Sequence, residues 1–109
     1  MTDITVPGQG GVYVMREAAL KEHVVNIAHR YGWLVFSLPV AQQRRPVKDA
    51  SGFPDMVMAR DGQVILIELK QESAGLSPHQ KLWHGELGSF VHVIRPSDLY
   101  NNRLWELLQ

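Results

Sequence analysis

The feature that most constrains the fold of this chain is the dipeptide Asp61-Gly62, which lies between two runs of apolar residues. An Asp-Gly pair in this setting is the strongest short-range signal for a β-hairpin closed by a two-residue turn. If Arg60 pairs with Gln63 across that turn, the register places Asp55 directly opposite Glu68. Opposed side chains share a face of the sheet, with Cβ atoms about 4.5–5.5 Å apart. The sequence therefore predicts two carboxylates held close together at the open end of one hairpin.

Both faces of the predicted hairpin are rich in apolar side chains. One face would carry Met56, Met58, Ile65, Ile67 and Leu69, and the other would carry Val57, Ala59, Val64 and Leu66 beside the acids. Strands that are buried on both faces are internal strands of a layered domain. A slip of one residue would turn Glu68 into the apolar layer, so the register is strongly specified.

A lysine completes the polar cluster at the open end of the hairpin. Lys70 lies two residues beyond Glu68 and so projects from the same face of the strand. Two opposed carboxylates repel each other unless a cation lies between them, and Mg²⁺ prefers oxygen ligands. The ordinary alternative is that both acids are strand-end residues that meet solvent, with Lys70 paired to one of them. The combination of two acids and a lysine at opposed positions favours a Mg²⁺-type hydrolytic site.

Length and composition set broad limits. The 109 residues, 45% of them hydrophobic, suffice for one domain with one core. The absence of Cys excludes disulfides and thiolate metal sites, and it favours a reducing cytoplasm. No stretch approaches the ~20 apolar residues of a membrane span, and no charged-then-apolar leader opens the chain. The formal net charge is zero, whereas nucleic-acid binders usually have a surplus of basic residues. A neutral chain could still bind nucleic acid if several of its acids surround a divalent cation.

Apolar periodicity and turn residues predict the element order αβββαβα, which is a single α/β sandwich. Residues 1–15 are predicted to form a flexible N-terminal arm, and residues 16–109 are predicted to form the domain. A long polar loop over 39–52 is unusual in so small a domain and indicates function. The predicted elements are a helix over 16–31 ended by Gly32, a strand over 33–38, the hairpin over 55–70, a helix capped by Ser77 that ends near Gly88, a strand over 90–94 and a last helix opened by Pro96.

Three further features could contribute to a site, and each has an ordinary structural alternative. Glu17 lies on the first turn and the apolar stripe of the first helix, so it is either a partner of the helix dipole or a third acid aimed at the site. Gln80 either caps the second helix or reaches the end of the hairpin, where a right-handed crossover would place it. Arg44, Arg45 and Lys48 either lie in a solvated loop or contact phosphates.

The five histidines argue against a zinc helix. None of them forms the i, i+4 pair that such a helix requires. All five are expected to be surface or packed imidazoles. His79, which is next to Gln80, is the one expected to approach the site.

Taken in order along the chain, these residues resemble the PD-(D/E)XK nucleases. Within that superfamily the chain is similar to the virus-type replication-repair nuclease (VRR-NUC) domain, especially its small stand-alone phage and prophage forms. The resemblance covers roughly residues 16–98 and rests on Glu17, Gly52-Phe53-Pro54-Asp55, Glu68-Leu69-Lys70, Gln80-Lys81-Leu82-Trp83 and Arg95-Pro96-Ser97-Asp98. It implies a restriction-endonuclease-like αβββαβ core, with a central mixed four-stranded sheet flanked by helices and an extra C-terminal helix.

The resemblance also implies a metal centre. Asp55 and Glu68 would bind Mg²⁺ or Mn²⁺, with the backbone carbonyl of Leu69 as a neutral ligand. Glu17 would act on the metal through a bound water. Lys70 would be the catalytic lysine, which orients the attacking water and stabilises the developing negative charge.

Gln80 would be the accessory residue that holds this lysine or the water. The implied enzyme is a divalent-metal-dependent DNA endonuclease that hydrolyses phosphodiester bonds and prefers branched DNA, such as Holliday junctions or flaps. It would be phage- or prophage-encoded, would act in the cytoplasm of a bacterial host, and would form a homodimer like the resolvases it resembles. Arg44, Arg45 and Lys48 would grip the DNA backbone.

Two other classes of function remain alternatives. One is a catalytically silent DNA-binding or assembly module that retains the nuclease fold, against which the intact Asp55, Glu68 and Lys70 argue. The other is a small-molecule-binding α/β domain. It is disfavoured because no glycine-rich phosphate loop connects a strand to a helix.

Overall fold

A computed structural model describes residues 15–37 and 51–109 of the chain. The predicted arm up to residue 14 and the basic cluster of Arg44, Arg45 and Lys48 lie outside the described residues. The strands are β1 (Leu34–Ser37), β2 (Met56–Arg60), β3 (Gln63–Leu69) and β4 (Val91–Ile94), and the helices are α1 (Glu17–Arg30), α2 (Pro78–Leu87) and α3 (Arg103–Leu108). Short 3₁₀ helices at Gly88–Phe90 and Pro96–Leu99 lie on either side of β4. Within the described parts of the chain, no helix is long and apolar enough to span a membrane.

The hairpin register predicted from Asp61-Gly62 is confirmed. Arg60 pairs with Gln63, and the antiparallel ladder continues to the last pair of β2 with β3. Asp61 and Gly62 both have positive φ angles, of 51° and 80°, as a type I′ turn requires. The ladder ends one step before Asp55, which therefore lies at the mouth of the hairpin opposite the end of β3.

The four strands form one mixed sheet in the order β1-β2-β3-β4. The first three strands are antiparallel to their neighbours, and β4 is parallel to β3. A parallel pair needs a crossover connection, and α2 lies in the segment that joins β3 to β4. The hairpin strands are therefore internal, and the start of α2 follows the end of β3 that carries the predicted polar cluster.

The core lies between one face of the sheet and helices α1 and α3. Its buried apolar side chains come from α1, from the hairpin face that carries Met56 and Met58, and from α3. Met15, the last residue of the predicted arm, is buried in the same core. The indole of Trp33 donates a hydrogen bond to the Leu108 carbonyl at 2.8 Å, which ties α3 to the end of α1.

The opposite face of the sheet differs from the prediction. Leu66 and Glu68, near α2, are buried, but Val64 is 45% exposed. Leu34 and Phe36 of β1 share this face and are 76% and 58% exposed. The expectation that the hairpin is buried on both faces is therefore wrong at its turn end, because α2 covers only the end that carries Glu68.

The C-terminal segment is broken where one helix was expected to run on from Pro96. A 3₁₀ helix ends at Leu99, and α3 begins only at Arg103. Between them Asn102 has a φ of 66°, a left-handed conformation that ends a helix and that Asn tolerates better than most residues. Buried Asp98 holds the two pieces together, because its Oδ2 accepts hydrogen bonds from the Arg95 backbone and from Arg103 Nη1.

Candidate active site

Glu68 lies at the centre of the candidate site, and only 2% of it is exposed. It is the penultimate residue of β3, and two side chains of α2 contact its carboxyl group. Gln80 Nε2 donates a hydrogen bond to Oε2 at 3.2 Å, and His84 Nε2 lies 3.2 Å from Oε1. A buried carboxyl group needs such partners because an uncompensated polar or charged group is costly to remove from water.

Asp55 is held against Glu68 by the backbone of the facing strand. The Leu69 N–H donates a hydrogen bond to Asp55 Oδ2 at 2.7 Å. The side chains of Asp55 and Glu68 also share a hydrogen bond, so the structure brings the two acids together as the register predicts. Two fully ionised carboxylates cannot hydrogen-bond to each other, so this contact favours the protonated form of Glu68.

The pKa of Glu68 shows which groups surround it. Burial, the shared hydrogen bond and the charge of Asp55 raise the pKa of Glu68 from 4.5 to about 8. The positive charge of Lys70 lowers this pKa and the negative charge of Glu17 raises it further. Lys70 and Glu17 therefore both lie within electrostatic range of the acid pair. At neutral pH the metal-free protein keeps Glu68 largely protonated, and a bound cation would replace that proton.

Lys70 and Glu17 approach the acids from different elements. Lys70 is half-buried directly after β3, and its backbone N–H donates to the Ile94 carbonyl of β4 at 3.1 Å. Glu17 is exposed in the first turn of α1, where its charge complements the helix dipole. The dipole role and the proximity to the acids, posed as alternatives for Glu17, are compatible in this geometry.

The N-terminal cap of α2 determines how Gln80 faces Glu68. Ser77 Oγ accepts a hydrogen bond from the Gln80 N–H at 3.2 Å, and Gln80 Oε1 accepts one from the Ser77 N–H at 2.8 Å. Because this capping box uses the amide oxygen, the amide nitrogen of Gln80 is left to donate to Glu68. Capping and site contact, posed as alternatives for Gln80, are both made by this one side chain.

The loop before Asp55 is docked tightly on the start of α2. Gly52 has a φ of +84°, and a Cβ atom at this position would lie 2.5 Å from the backbone carbonyl carbon of His79. One residue later, the ring of Phe53 packs edge-on against Trp83, with centroids 4.9 Å apart and an interplanar angle of 87°. Glycine is therefore the residue that lets the loop approach the helix. The approach brings the segment that leads into Asp55 against the start of α2.

His84 is the candidate that the sequence reasoning missed. His79 was expected to approach the site, but its side chain is exposed and its backbone packs against Gly52. His84 follows Gln80 by four residues, so both side chains project from the same face of α2. His84 is a packed imidazole, within the expectation for the histidines, and its packing includes a contact with Glu68. Burial, and then the charge of Lys70, lower the pKa of His84, which favours the neutral imidazole.

The acid pair has the ligand chemistry that a hard cation prefers. Among residues 15–37 and 51–109, no group of three or more His, Cys, Asp or Glu side chains is placed to hold a metal ion. Mg²⁺, however, usually binds through only one or two carboxylates and completes its shell with waters and substrate phosphates. Asp55 and Glu68 supply two carboxyl groups, and the raised pKa of Glu68 reflects the burial and the negative charge that a cation would offset.

A cavity of about 350 Å³ lies on α2, next to the loop that precedes Asp55. It is lined by Ser51, His79, Leu82, Trp83 and Glu86.

Comparison of the chain with known protein families, with curated proteins and with solved structures finds no match.

Proposed function

We propose that this protein is a divalent-metal-dependent DNA endonuclease that hydrolyses phosphodiester bonds, built on the restriction-endonuclease-like core of the VRR-NUC domains it resembles. One observation carries the proposal. Two carboxyl groups, of buried Glu68 and half-buried Asp55, share a hydrogen bond at the mouth of the hairpin, with Lys70 in electrostatic range. A carboxyl group whose pKa is raised to about 8 beside a second acid is suited to exchange its proton for a divalent cation.

The residues of the site divide the work of hydrolysis. Asp55 and Glu68 would hold Mg²⁺ or Mn²⁺, with the backbone carbonyl of Leu69 as a further ligand and Glu17 acting through a water. When bound, the metal supplies charge stabilisation at the scissile phosphate and lowers the pKa of a bound water. Lys70 would orient the attacking water and stabilise the negative charge that develops on the phosphate.

Gln80 serves the same chemistry by positioning Glu68. Its amide is fixed by the capping box at the start of α2, so its N–H group presents a preoriented donor to Oε2. A preoriented donor limits the freedom of the carboxylate before any ligand binds, which lowers the entropy that binding must remove.

The proposed substrate is branched DNA, such as a Holliday junction or a flap. Symmetric cuts in a junction need two active sites related by a two-fold axis, so the proposed form is a homodimer. Arg44, Arg45 and Lys48 would contact the phosphate backbone of the DNA. The proposed setting is the cytoplasm of a bacterial host, with the protein encoded by a phage or prophage.

Cleavage of labelled four-way junction, flap and linear duplex, with Mg²⁺, Mn²⁺ or chelator, tests the proposal. We expect the wild type to cut branched DNA only with metal, and Glu68→Gln and Lys70→Ala to abolish cutting. Matched controls are Glu86→Gln and Lys81→Ala, which change an exposed acid and an exposed lysine of α2 and should retain activity. Binding of DNA without cleavage under every metal condition would instead identify a catalytically silent DNA-binding module.

A further inference from the structure

The segment that connects β3 to α2 joins two residues of the candidate site. Lys70 directly follows β3, and Gln80 lies in the first turn of α2. Residues 71–77, the β3–α2 connection, form neither helix nor strand. A segment without a regular backbone ladder needs other partners to keep one conformation. The direction in which the Lys70 side chain leaves the sheet therefore depends on what holds this connection.

The side chain of Arg95 holds the β3–α2 connection at its centre. Arg95 Nη1 donates hydrogen bonds to the backbone carbonyls of Gln71, Glu72 and Ala74, at 2.6, 3.2 and 2.6 Å. Hydrogen bonds from a charged donor are roughly twice as strong as those between neutral groups. Because the three carbonyl oxygens converge on one positive charge, the connection cannot open without losing all three bonds.

Arg95 is itself placed beside Lys70 by the sheet. It directly follows Ile94, the last residue of β4, whose carbonyl accepts a hydrogen bond from the Lys70 N–H at 3.1 Å. A second link joins the same two segments, because the Ser97 N–H donates to Glu72 Oε1 at 2.9 Å. The backbone of Lys70 is thus held by β4 at its own N–H group, and by Arg95 through the residues that follow it.

We propose that Arg95 is a positioning residue for catalysis, which sets the place of the Lys70 ammonium group by fixing the β3–α2 connection. The inference rests on the proposed function, because it assumes that Lys70 acts on the scissile phosphate. A lysine side chain is long and flexible, so its effect on a reaction depends on where its backbone points it. A misplacement of about 1 Å can lower the rate of an enzyme by about a hundredfold.

The kinetics of the full chain on a labelled four-way junction with Mg²⁺ test this role. We expect Arg95→Gln to lower kcat by between about tenfold and a hundredfold. The KM for DNA and the dissociation constant for Mg²⁺ should stay unchanged, because other residues supply both kinds of binding. The matched control is Arg103→Gln, which removes a guanidinium that donates to the Val93 carbonyl of β4 and to Asp98. It should retain the wild-type kcat even if it lowers the melting temperature.

Rescue experiments separate the position of Lys70 from general damage to the fold. Millimolar guanidinium chloride should restore part of the kcat of Arg95→Ala, whereas sodium chloride at the same concentration should not, and Lys70→Ala should respond to neither. Arg95→Lys should retain more activity than Arg95→Gln, because all three contacts meet at one nitrogen and an ammonium group has three donors. The comparison of these two variants carries the test if Arg95→Ala fails to fold.

Hydrogen exchange measures the position of the connection without relying on activity. We expect the amides of Lys70 and of residues 71–77 to exchange faster in Arg95→Gln than in the wild type, while those of α1 keep their protection. Unchanged exchange in this segment would overturn the inference, because it would show that Arg95 does not hold the connection.

The kinetic outcomes distinguish this inference from the proposed function. Faster exchange of the connection with a wild-type kcat in Arg95→Gln would overturn the role of Arg95 and leave the nuclease proposal standing. An equal fall in kcat in Arg103→Gln would also overturn it, because the loss would then follow stability and not the place of Lys70. A wild type that cuts no DNA under any metal condition would overturn the proposed function, and this role with it.

Discussion

Replacing Glu68 by Gln should stabilise the metal-free protein, and the gain should grow with pH. Burial, the hydrogen bond with Asp55 and the charge of Asp55 raise the pKa of Glu68 from 4.5 to about 8 in the folded state. The same carboxyl group ionises near its ordinary value in the unfolded chain. Between these two values the folded protein binds about one proton more than the unfolded chain, so its free energy of unfolding falls as pH rises.

The size of the effect follows from this difference in bound protons. One proton changes the free energy of unfolding by about 1.4 kcal/mol per pH unit. Across the window from 4.5 to about 8 the loss has an upper bound of roughly 5 kcal/mol. This is a large share of the 5–15 kcal/mol that typically separates folded from unfolded domains. Gln is neutral throughout and can keep the contacts with Gln80 and His84, so the variant avoids the loss.

Urea unfolding of wild type and Glu68→Gln in chelator, at intervals from pH 5 to pH 9, measures the difference. We expect it to be small near pH 5, to rise through neutral pH and to level off above about pH 8. Burial, and then the charge of Arg103, lower the pKa of His92, but this residue is common to both proteins and cancels. Glu86→Gln, at an exposed site on α2, should show a difference that does not vary with pH. A stability difference for Glu68→Gln that does not vary with pH would refute the reasoning.

Four further predictions follow from the site and from the sequence. Metal at ~100 times its dissociation constant should stabilise the wild type by roughly 2.7 kcal/mol, and equal melting temperatures with Mg²⁺, Mn²⁺ and chelator would contradict a site between the acids. Metal binding near pH 7 should release about one proton per ion, which calorimetry in buffers of different ionisation enthalpy can count. Gly52→Ala should destabilise the fold by about 1–3 kcal/mol in thermal unfolding, because a Cβ atom would meet the helix backbone. Neutralising Arg44, Arg45 and Lys48 together should flatten the salt dependence of DNA binding by up to ~0.9 per lost phosphate contact, whereas an unchanged slope would return them to the role of solvated loop residues.

The hairpin could be predicted because a local signal determines it. The Asp61-Gly62 turn sets the pairing of Arg60 with Gln63, and every later pair follows by counting along the two strands. The convergence of Asp55 and Glu68 is a direct consequence of that count. The position of Gln80 in the first turn of α2 could likewise be predicted from Ser77, because the two residues of a capping box are separated by a short and specific spacing.

The missed features depend on contacts that lie far apart in the chain. The contact of His84 with Glu68 depends on how α2 is rotated over the sheet, and local periodicity does not specify that rotation. The exposure of Val64 was missed because an apolar composition shows that a face can be buried, whereas an element must also cover it. The break at Asn102 results from one residue adopting a left-handed conformation, which the apolar spacing of the last helix does not reveal.

The double use of Gln80 links the integrity of the site to the fraying of a helix end. The first turn of α2 cannot open without releasing the amide that holds Glu68, because Oε1 and Nε2 belong to one rigid group. Loss of an N-cap typically destabilises a helix by ~1 kcal/mol, which corresponds to a roughly fivefold change in a local opening equilibrium. Ser77 thereby influences a carboxyl group on another element. The fraction of molecules with a correctly oriented Glu68 at any instant is set partly by how firmly one serine holds the end of its helix.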